Sequence, residues 1–359
     1  MTSSETISRQ TLRIIDANLN RIGEGLRLLE DLARLLLNDT TLTQQLKIMR
    51  HELVTSDWSF NQQLLQSRDS ESDIGINIEA PEQGSKQREP PIMVVANARR
   101  VQEALRTLEE LAKIPDTTLK LNSEKFKQAR FCLYTIERRL LSRLLGRDKA
   151  KGISGFYFIL DTHALKGRSH LEVASQAIRG GAKIVQLRDK NQSKKELLSL
   201  AQELRDLCAE HNVLFIMNDH LDLAIANDAD GLHLGQDDLP IKVARKLLPM
   251  GKILGCSTTT VDQAITAESD GADYIAAGAI YPTTSKTSTT TPVKVIGLEG
   301  LSQIKQAISL PLVAIGGITG DNAAEVLAAG ADSIAVISAI LQAESPEEAA
   351  RQITAEFEA

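Results

Sequence analysis

Aromatic residues are scarce in this chain: one Trp, four Tyr and seven Phe stand among 359 residues. A core built with so few rings must be filled mainly by Leu, Ile, Val and Ala, which suits packed helices or a parallel barrel. Cysteine is scarcer still. Cys132, Cys208 and Cys256 lie too far apart in sequence for a zinc-ligand spacing or a disulfide framework, and they read as neutral thiols of a reducing cytosol. No window approaches the ~20 consecutive apolar residues of a membrane span, and the first residues lack the apolar stretch of a signal peptide. A cytoplasmic protein with no membrane partner is the expectation. Nor is there a clustered Lys/Arg run, and the formal charge is −6, which argues against a nucleic-acid or acidic-lipid partner. An anionic substrate would need a local basic patch instead. No His, Cys or Ser triad and no Walker-type phosphate loop is visible, so nucleophilic catalysis is not indicated.

What is present falls into two textures, and the length alone favours two domains. In residues 11–38, Leu12, Ile15, Leu19, Ile22, Leu26, Leu29, Ala33 and Leu36 recur at the three-and-four spacing of one helical face. Residues 17–33 (ANLNRIGEGLRLLEDLA) return 79 positions later as 96–112 (ANARRVQEALRTLEELA), with Asn18/Asn97, Arg21/Arg100, Glu24/Glu103, Arg27/Arg106 and Glu30/Glu109 among the matches. A second helical pattern follows each copy, Lys47, Arg50 and Leu53 being echoed by Lys127, Arg130 and Leu133. The unit therefore reads as a duplicated helical hairpin, with the polar, Pro-containing stretch 67–91 as the loop between copies. The matched Asn, Arg and Glu fit two readings: a ligand site shared by the copies, or pairing and capping along single helices, since Arg27 and Glu30 sit three apart.

Past Arg147 short β-branched runs alternate with helical stretches. Strands are expected at 155–160, 183–188, 213–218, 231–235, 253–257, 274–279, 311–317 and 333–338. Gly-Ala-Lys or Gly-Ala-Asp introduces three of them, at 181–183, 271–273 and 330–332, as helix C-caps before a returning strand do. Eight βα units predict a (β/α)8 barrel over 148–359, preceded by an all-α domain over 1–147.

Barrel active sites lie at the C-terminal ends of the strands. Those ends carry Gln186, Leu187, Arg188, Asp189 and Lys190 after strand two, Asn218 and Asp219 after three, Asp238 after four and Ser257 on five. Thr283, Thr284, Ser285 and Lys286 follow strand six, Gly316 and Gly317 strand seven, and Ile337 and Ser338 strand eight. Arg188 and Lys190 are two apart on an extended chain and share a side. Two carboxylates from neighbouring strands, Asp219 and Asp238, could hold Mg2+ together with substrate phosphate oxygens. The glycines after strand seven and the backbone after strand eight suit a phosphate. His233, on strand four, reads as a satisfied packing histidine.

QLRDK (186–190), MND (217–219), GLHLGQDD (231–238), GCS (255–257), PTTSK (282–286), AIGGI (314–318) and VIS (336–338) resemble, in order, the motifs of thiamine-phosphate synthase. The resemblance covers roughly 153–357. It implies an enzyme whose catalytic groups are Arg188, Lys190, Ser257 and Lys286. Gln186, Leu187, Arg188, Asp189, Lys190, Asn218, Ser257 and Lys286 would hold a pyrimidine diphosphate, and Asp219 and Asp238 one Mg2+. Thr283, Thr284, Ser285, Gly317, Ile337 and Ser338 would hold a thiazole phosphate or its carboxylate form. It also implies a dissociative reaction, in which the pyrimidine methylene loses diphosphate and the thiazole nitrogen captures the resulting cation. The Ser/Thr-rich stretch 287–291 departs from the family by its length. The helical region resembles an extension found in some members, for which a pyrimidine-phosphate kinase role has been suggested. A thiazole tautomerase on the same barrel and a non-catalytic thiamine-intermediate binder are the competing readings, and a homo-oligomer is left open.

Overall fold

The computed structural model describes residues 7–54, 58–69, 89–114, 121–165, 167–283 and 294–358. The chain divides into two compact units, 1–144 and 145–359.

The first unit is helical: α1 (Arg9–Asp31), α2 (Thr40–Val54), α3 (Trp58–Ser67), α4 (Pro90–Leu111) and α5 (Ser123–Lys151), the last reaching past residue 144. Helix α1 starts where the Ser8 hydroxyl accepts the Thr11 N–H, satisfying one orphan donor of the first turn. It ends in a wider π turn, Leu32–Leu36. The periodic residues Leu12, Ile15, Leu19, Ile22, Leu26, Leu29 and Ala33 are all buried, as their spacing requires, while Leu36 is only partly so. The duplication is visible as repeated geometry. Asn18 and Asn97 each donate to the carbonyl four residues back, both at 2.8 Å. Glu30 and Glu109 are buried, and each takes an Arg from the following helix: Arg50 at 3.0 Å and Arg130 at 2.9 Å. Arg27 and Arg106 also reach those carboxylates three residues along their own helices. The Arg27–Glu30 and Arg106–Glu109 pairs run along single helices, as the second of the two readings expects, while the Arg50 and Arg130 pairs join neighbouring helices.

In the second unit, among the described residues, eight parallel strands close into a barrel in sequence order. They are β1 (Gly155–Asp161), β2 (Ile184–Arg188), β3 (Leu214–Asn218), β4 (Gly231–Leu234), β5 (Ile253–Thr258), β6 (Tyr274–Gly278), β7 (Leu312–Ile315) and β8 (Ser333–Val336). The main outer helices are α6 (His170–Arg179), α7 (Lys194–Glu210), α8 (Leu221–Ala226), α9 (Ile241–Leu247), α10 (Val261–Asp270), α11 (Gly297–Ala307), α12 (Ala323–Ala328), α13 (Ser338–Leu341) and α14 (Pro346–Ala355). Each strand lies within two residues of its sequence expectation. The turns explain that accuracy: Gly271 ends α10 in the left-handed region, φ 107°, where a side chain is disfavoured, and β6 begins three residues later.

At the N-terminal end of the barrel three aspartates repeat one device. Asp230, Asp273 and Asp332 each accept an N–H from the first or second residue of the preceding strand, from Phe215 (3.1 Å), Leu254 (2.8 Å) and Leu312 (2.7 Å). Each is also paired with a cation, respectively Lys149, Arg245 and Lys305. Conserving the strand register this way leaves the opposite end free for chemistry. Five aromatic side chains, Phe156, Tyr157, Phe158, Phe215 and Tyr274, are fully enclosed in the barrel. The few rings of this chain are concentrated where volume is hardest to fill.

Candidate active site

A cavity of about 480 Å3 opens at the C-terminal ends of the strands. Residues two apart line it, Gln186, Arg188 and Lys190 from β2 and its exit, because alternate side chains of a strand point the same way. The residues between them turn elsewhere. Leu187 is fully buried in the barrel core, and the Asp189 carboxylate accepts the N–H groups of Asn191 (2.7 Å) and Gln192 (2.8 Å) and the hydroxyl of Thr162. Burial would raise the Asp189 carboxyl, but these bonds outweigh it and hold it below the usual range. Neither residue lines the cavity, so a ligand contact by their side chains, expected from the contiguous motif, has no support in this placement.

The remaining expected groups that the structure describes come together on the rim. Asn218, Asp219, Asp238 and Ser257 form one side with the β2 cations, and Thr283, Gly317, Ile337 and Ser338 the other. Thr284, Ser285, Lys286 and the stretch 287–291 lie outside the described residues. Arg188 is already engaged, in an ion pair with the buried Asp161 of β1 that holds its guanidinium at the cavity wall. Asp219 takes a left-handed backbone, φ 58°, one of the few non-glycine residues here to do so, and its N–H donates to the His233 carbonyl at 2.9 Å. Asp238 accepts the Gly235 N–H at 2.7 Å. Burial, and then the facing Asp238, push the Asp219 carboxyl up to about 6, against the pull of Lys190 and Arg188. Two carboxylates that resist joint ionisation beside two cations form a donor set suited to a divalent cation shared with phosphate oxygens. Among the described residues no cluster of three or more His, Cys, Asp or Glu suited to a metal occurs.

Sequence reasoning overlooked Tyr157 and Lys294 on the cavity wall, and gave no role to Gln236, which also lines it. It also took His233 for a packing residue. Its ring nitrogens are indeed satisfied, but by Tyr274 and Ser257, and the residue lines the cavity.

Residues 156–340 match the family described as "Thiamine monophosphate synthase", and residues 13–139 match the "ThiD2 family". A thiamine-phosphate synthase of Synechocystis sp. is 38% identical over 341 residues, 95% of this chain and 94% of that protein. One from Methanospirillum hungatei is 49% identical over 187 residues, covering 52% of this chain and 89% of its own. A solved thiamine phosphate pyrophosphorylase from Pyrococcus furiosus aligns at 40% identity and a TM-score of 0.54, over 58% of this chain and 98% of that one. No helix among the described residues is long and apolar enough to cross a membrane. Two-ended polar rim, ordered motifs and near full-length relatives agree: the chain belongs to the thiamine-phosphate synthase family, enzymes of thiamine biosynthesis, and carries a ThiD2-family segment ahead of its barrel.

Proposed function

We propose that the barrel joins 4-amino-2-methyl-5-(diphosphooxymethyl)pyrimidine to 4-methyl-5-(2-phosphooxyethyl)thiazole, or its carboxylate form, giving thiamine phosphate and diphosphate. The observation that carries this reading is the two-ended cavity. Cations and paired carboxylates occupy one side, and a Gly-Gly turn with the start of a short helix occupies the other. A diphosphate needs the first, and a monophosphate suits the second, since glycine turns and helix starts are places where backbone N–H groups attract anions.

The C–O bond to the departing diphosphate breaks with its electron pair, and the thiazole nitrogen then supplies the pair for the new C–N bond. No protein base is needed. Arg188, oriented by Asp161, and Lys190 bind the diphosphate and oppose its growing charge, a task for preorganised groups. Lys286 is assigned the same task. Asp219 and Asp238 would hold Mg2+, which when bound neutralises part of the diphosphate charge. Gln186, Asn218 and Ser257 orient the pyrimidine, while Thr283, Thr284, Ser285, Gly317, Ile337 and Ser338 fix the thiazole phosphate, so that the rings meet with little motion left to lose. The tautomerase alternative needs neither the diphosphate cations nor the carboxylate pair, and all four of Arg188, Lys190, Asp219 and Asp238 stand on this rim. A non-catalytic binder would give no turnover.

The reading also assigns the two units separate work, the chemistry belonging to 148–359. Incubating the purified chain with both substrates, with and without Mg2+, tests the proposal. Thiamine phosphate and diphosphate should form in equal amounts and only with the cation; binding of both substrates without product would overturn it.

A further inference from the structure

Four buried or half-buried contacts run in series across the interior of the barrel. Gln186 donates its amide N–H to the Tyr157 hydroxyl at 2.8 Å. The hydroxyls of Tyr157 and Tyr274 are 3.0 Å apart. Tyr274 lies 2.9 Å from His233 Nδ1, and His233 Nε2 lies 2.9 Å from the Ser257 hydroxyl. The Tyr274 ring also stacks on the His233 ring, with centroids 5.5 Å apart and planes 29° from parallel. Gly255 makes this possible, since a Cβ there would fall 2.1 Å from Tyr274 Cζ. Both ends of the series, Gln186 and Ser257, line the cavity.

Each phenol has one hydrogen to give, and that restricts the direction of the whole series. Tyr157 accepts from Gln186, so its hydrogen goes to Tyr274. Tyr274 accepts from Tyr157, so its own hydrogen goes to His233 Nδ1. A neutral imidazole that accepts at Nδ1 carries its proton on Nε2 and donates to Ser257. The Ser257 hydrogen is then left for the cavity. At the other end the Gln186 amide N–H is taken by Tyr157, which leaves its carbonyl oxygen as the group to face the cavity that Gln186 lines. Both phenols are raised by burial well above their ordinary value, so neither breaks the series by losing its proton.

We infer that Tyr157, Tyr274 and His233 are positioning residues that polarise the site in one sense, so that Gln186 presents an acceptor and Ser257 a donor to one ligand. The ligand chemistry that answers both is a heteroaromatic amine, whose exocyclic N–H meets Gln186 and whose ring nitrogen lone pair meets Ser257. This deepens the proposed function, since it rests on the pyrimidine occupying that side of the cavity. It also specifies a tautomer of His233 that exists before any substrate binds.

The test is long-range 1H–15N NMR on the full chain with 15N-labelled histidine and no ligand, the His233 signal being assigned by His233→Gln. Nδ1 should show the shift of an unprotonated nitrogen and Nε2 that of a protonated one. In Tyr274→Phe, which removes the donor to Nδ1 together with the acceptor of the Tyr157 hydrogen, the two tautomers should mix. The same variant should lose about tenfold in kcat/KM for the pyrimidine diphosphate, the cost of one misdirected buried hydrogen bond. Inhibition by inorganic diphosphate should not change, because Arg188 and Lys190 are untouched. Tyr157→Phe cuts the series one link earlier and should act in the same direction if Tyr274→Phe does not fold. A proton on Nδ1 in the parent protein overturns the inference, as does a Tyr274→Phe protein with the parent tautomer and parent kcat/KM. The expected tautomer in a chain that makes no thiamine phosphate upholds the polarised series and removes the proposed reaction instead.

Discussion

Gly317 sits at φ 69°, and a Cβ added there would lie 2.7 Å from Tyr281 Cβ and 2.8 Å from the Pro282 carbonyl oxygen. Gly317→Ala must therefore push the chain after β6 away from the turn after β7, and both strain the backbone and widen the phosphate side of the cavity. We expect the thiazole phosphate KM to rise at least tenfold while the pyrimidine diphosphate KM stays within about twofold, as read by steady-state kinetics. Lys286→Ala should instead depress kcat by about 10²–10³ in single turnover, because its contact strengthens as charge leaves with the diphosphate. A changed thiazole phosphate KM with normal single-turnover chemistry would move Lys286 to the other substrate. At this scale the two-residue period, read in the sequence for Arg188 and Lys190, was not carried through to their neighbours. The QLRDK string reads as one block, yet the two-residue period of a strand sends Gln186, Arg188 and Lys190 to the cavity and Leu187 and Asp189 away from it. Tyr157 was hidden for a related reason: FYFIL is apolar on both faces, as a strand buried on both sides must be, so nothing marks its inward tyrosine.

Elements were legible where local chemistry terminates them. The strands after Gly181, Gly271 and Gly330 follow helix caps, and the hydrophobic period of α1 gave its buried face correctly. The π turn at Leu32–Leu36 was not legible, since one extra residue in a turn leaves no mark on a short apolar pattern. Helices α4 and α5 are joined through Glu109, and that junction should respond to acid. Burial alone would raise this carboxyl, but Arg130, Lys113 and Arg106 outweigh it and hold it at about 2. A carboxyl depressed in the folded state stabilises that state fully above its ordinary value near 4.5, and the contribution is lost as pH falls toward 2. Circular-dichroism melts between pH 6 and pH 2 should therefore show the helical unit losing stability through this window. Glu109→Gln should start less stable at pH 7 and lose less on acidification. A parallel decline of parent and variant would show that Glu109 is not the group responsible.

At the scale of the whole chain, the relatives from Methanospirillum hungatei and Pyrococcus furiosus match 52% and 58% of this chain over 89% and 98% of their own lengths. Among the described residues the barrel closes with its own three-aspartate base, and every proposed substrate contact falls between residues 148 and 359 of the sequence. A protein of residues 148–359 should fold and form thiamine phosphate with a kcat within about threefold of the full chain, a difference of under 1 kcal/mol in barrier. A folded but inactive truncation would show that the helical unit contributes to the chemistry. A helical region ahead of a barrel was legible in the sequence because the two periodicities differ, whereas the function of the helical unit was not, because Arg and Glu that pair within and between helices look the same in a sequence as groups that hold a ligand.

Helix α1 packs against α4, its own repeat, with Gly25 so close to Val101 that an added Cβ would meet its Cγ2 at 2.4 Å. The surface that binds the two halves is therefore one sequence recognising its descendant, like the contact of a homodimer whose subunits have been tethered. Partners of that kind hold together by the complementarity of their faces, and the tether only raises their effective concentration. A single protease nick between residues 70 and 88 should accordingly leave the two fragments co-eluting on gel filtration, and denaturant should be needed to part them. Were the nicked halves to separate in plain buffer, the linker rather than the helix pair would be what keeps this unit whole.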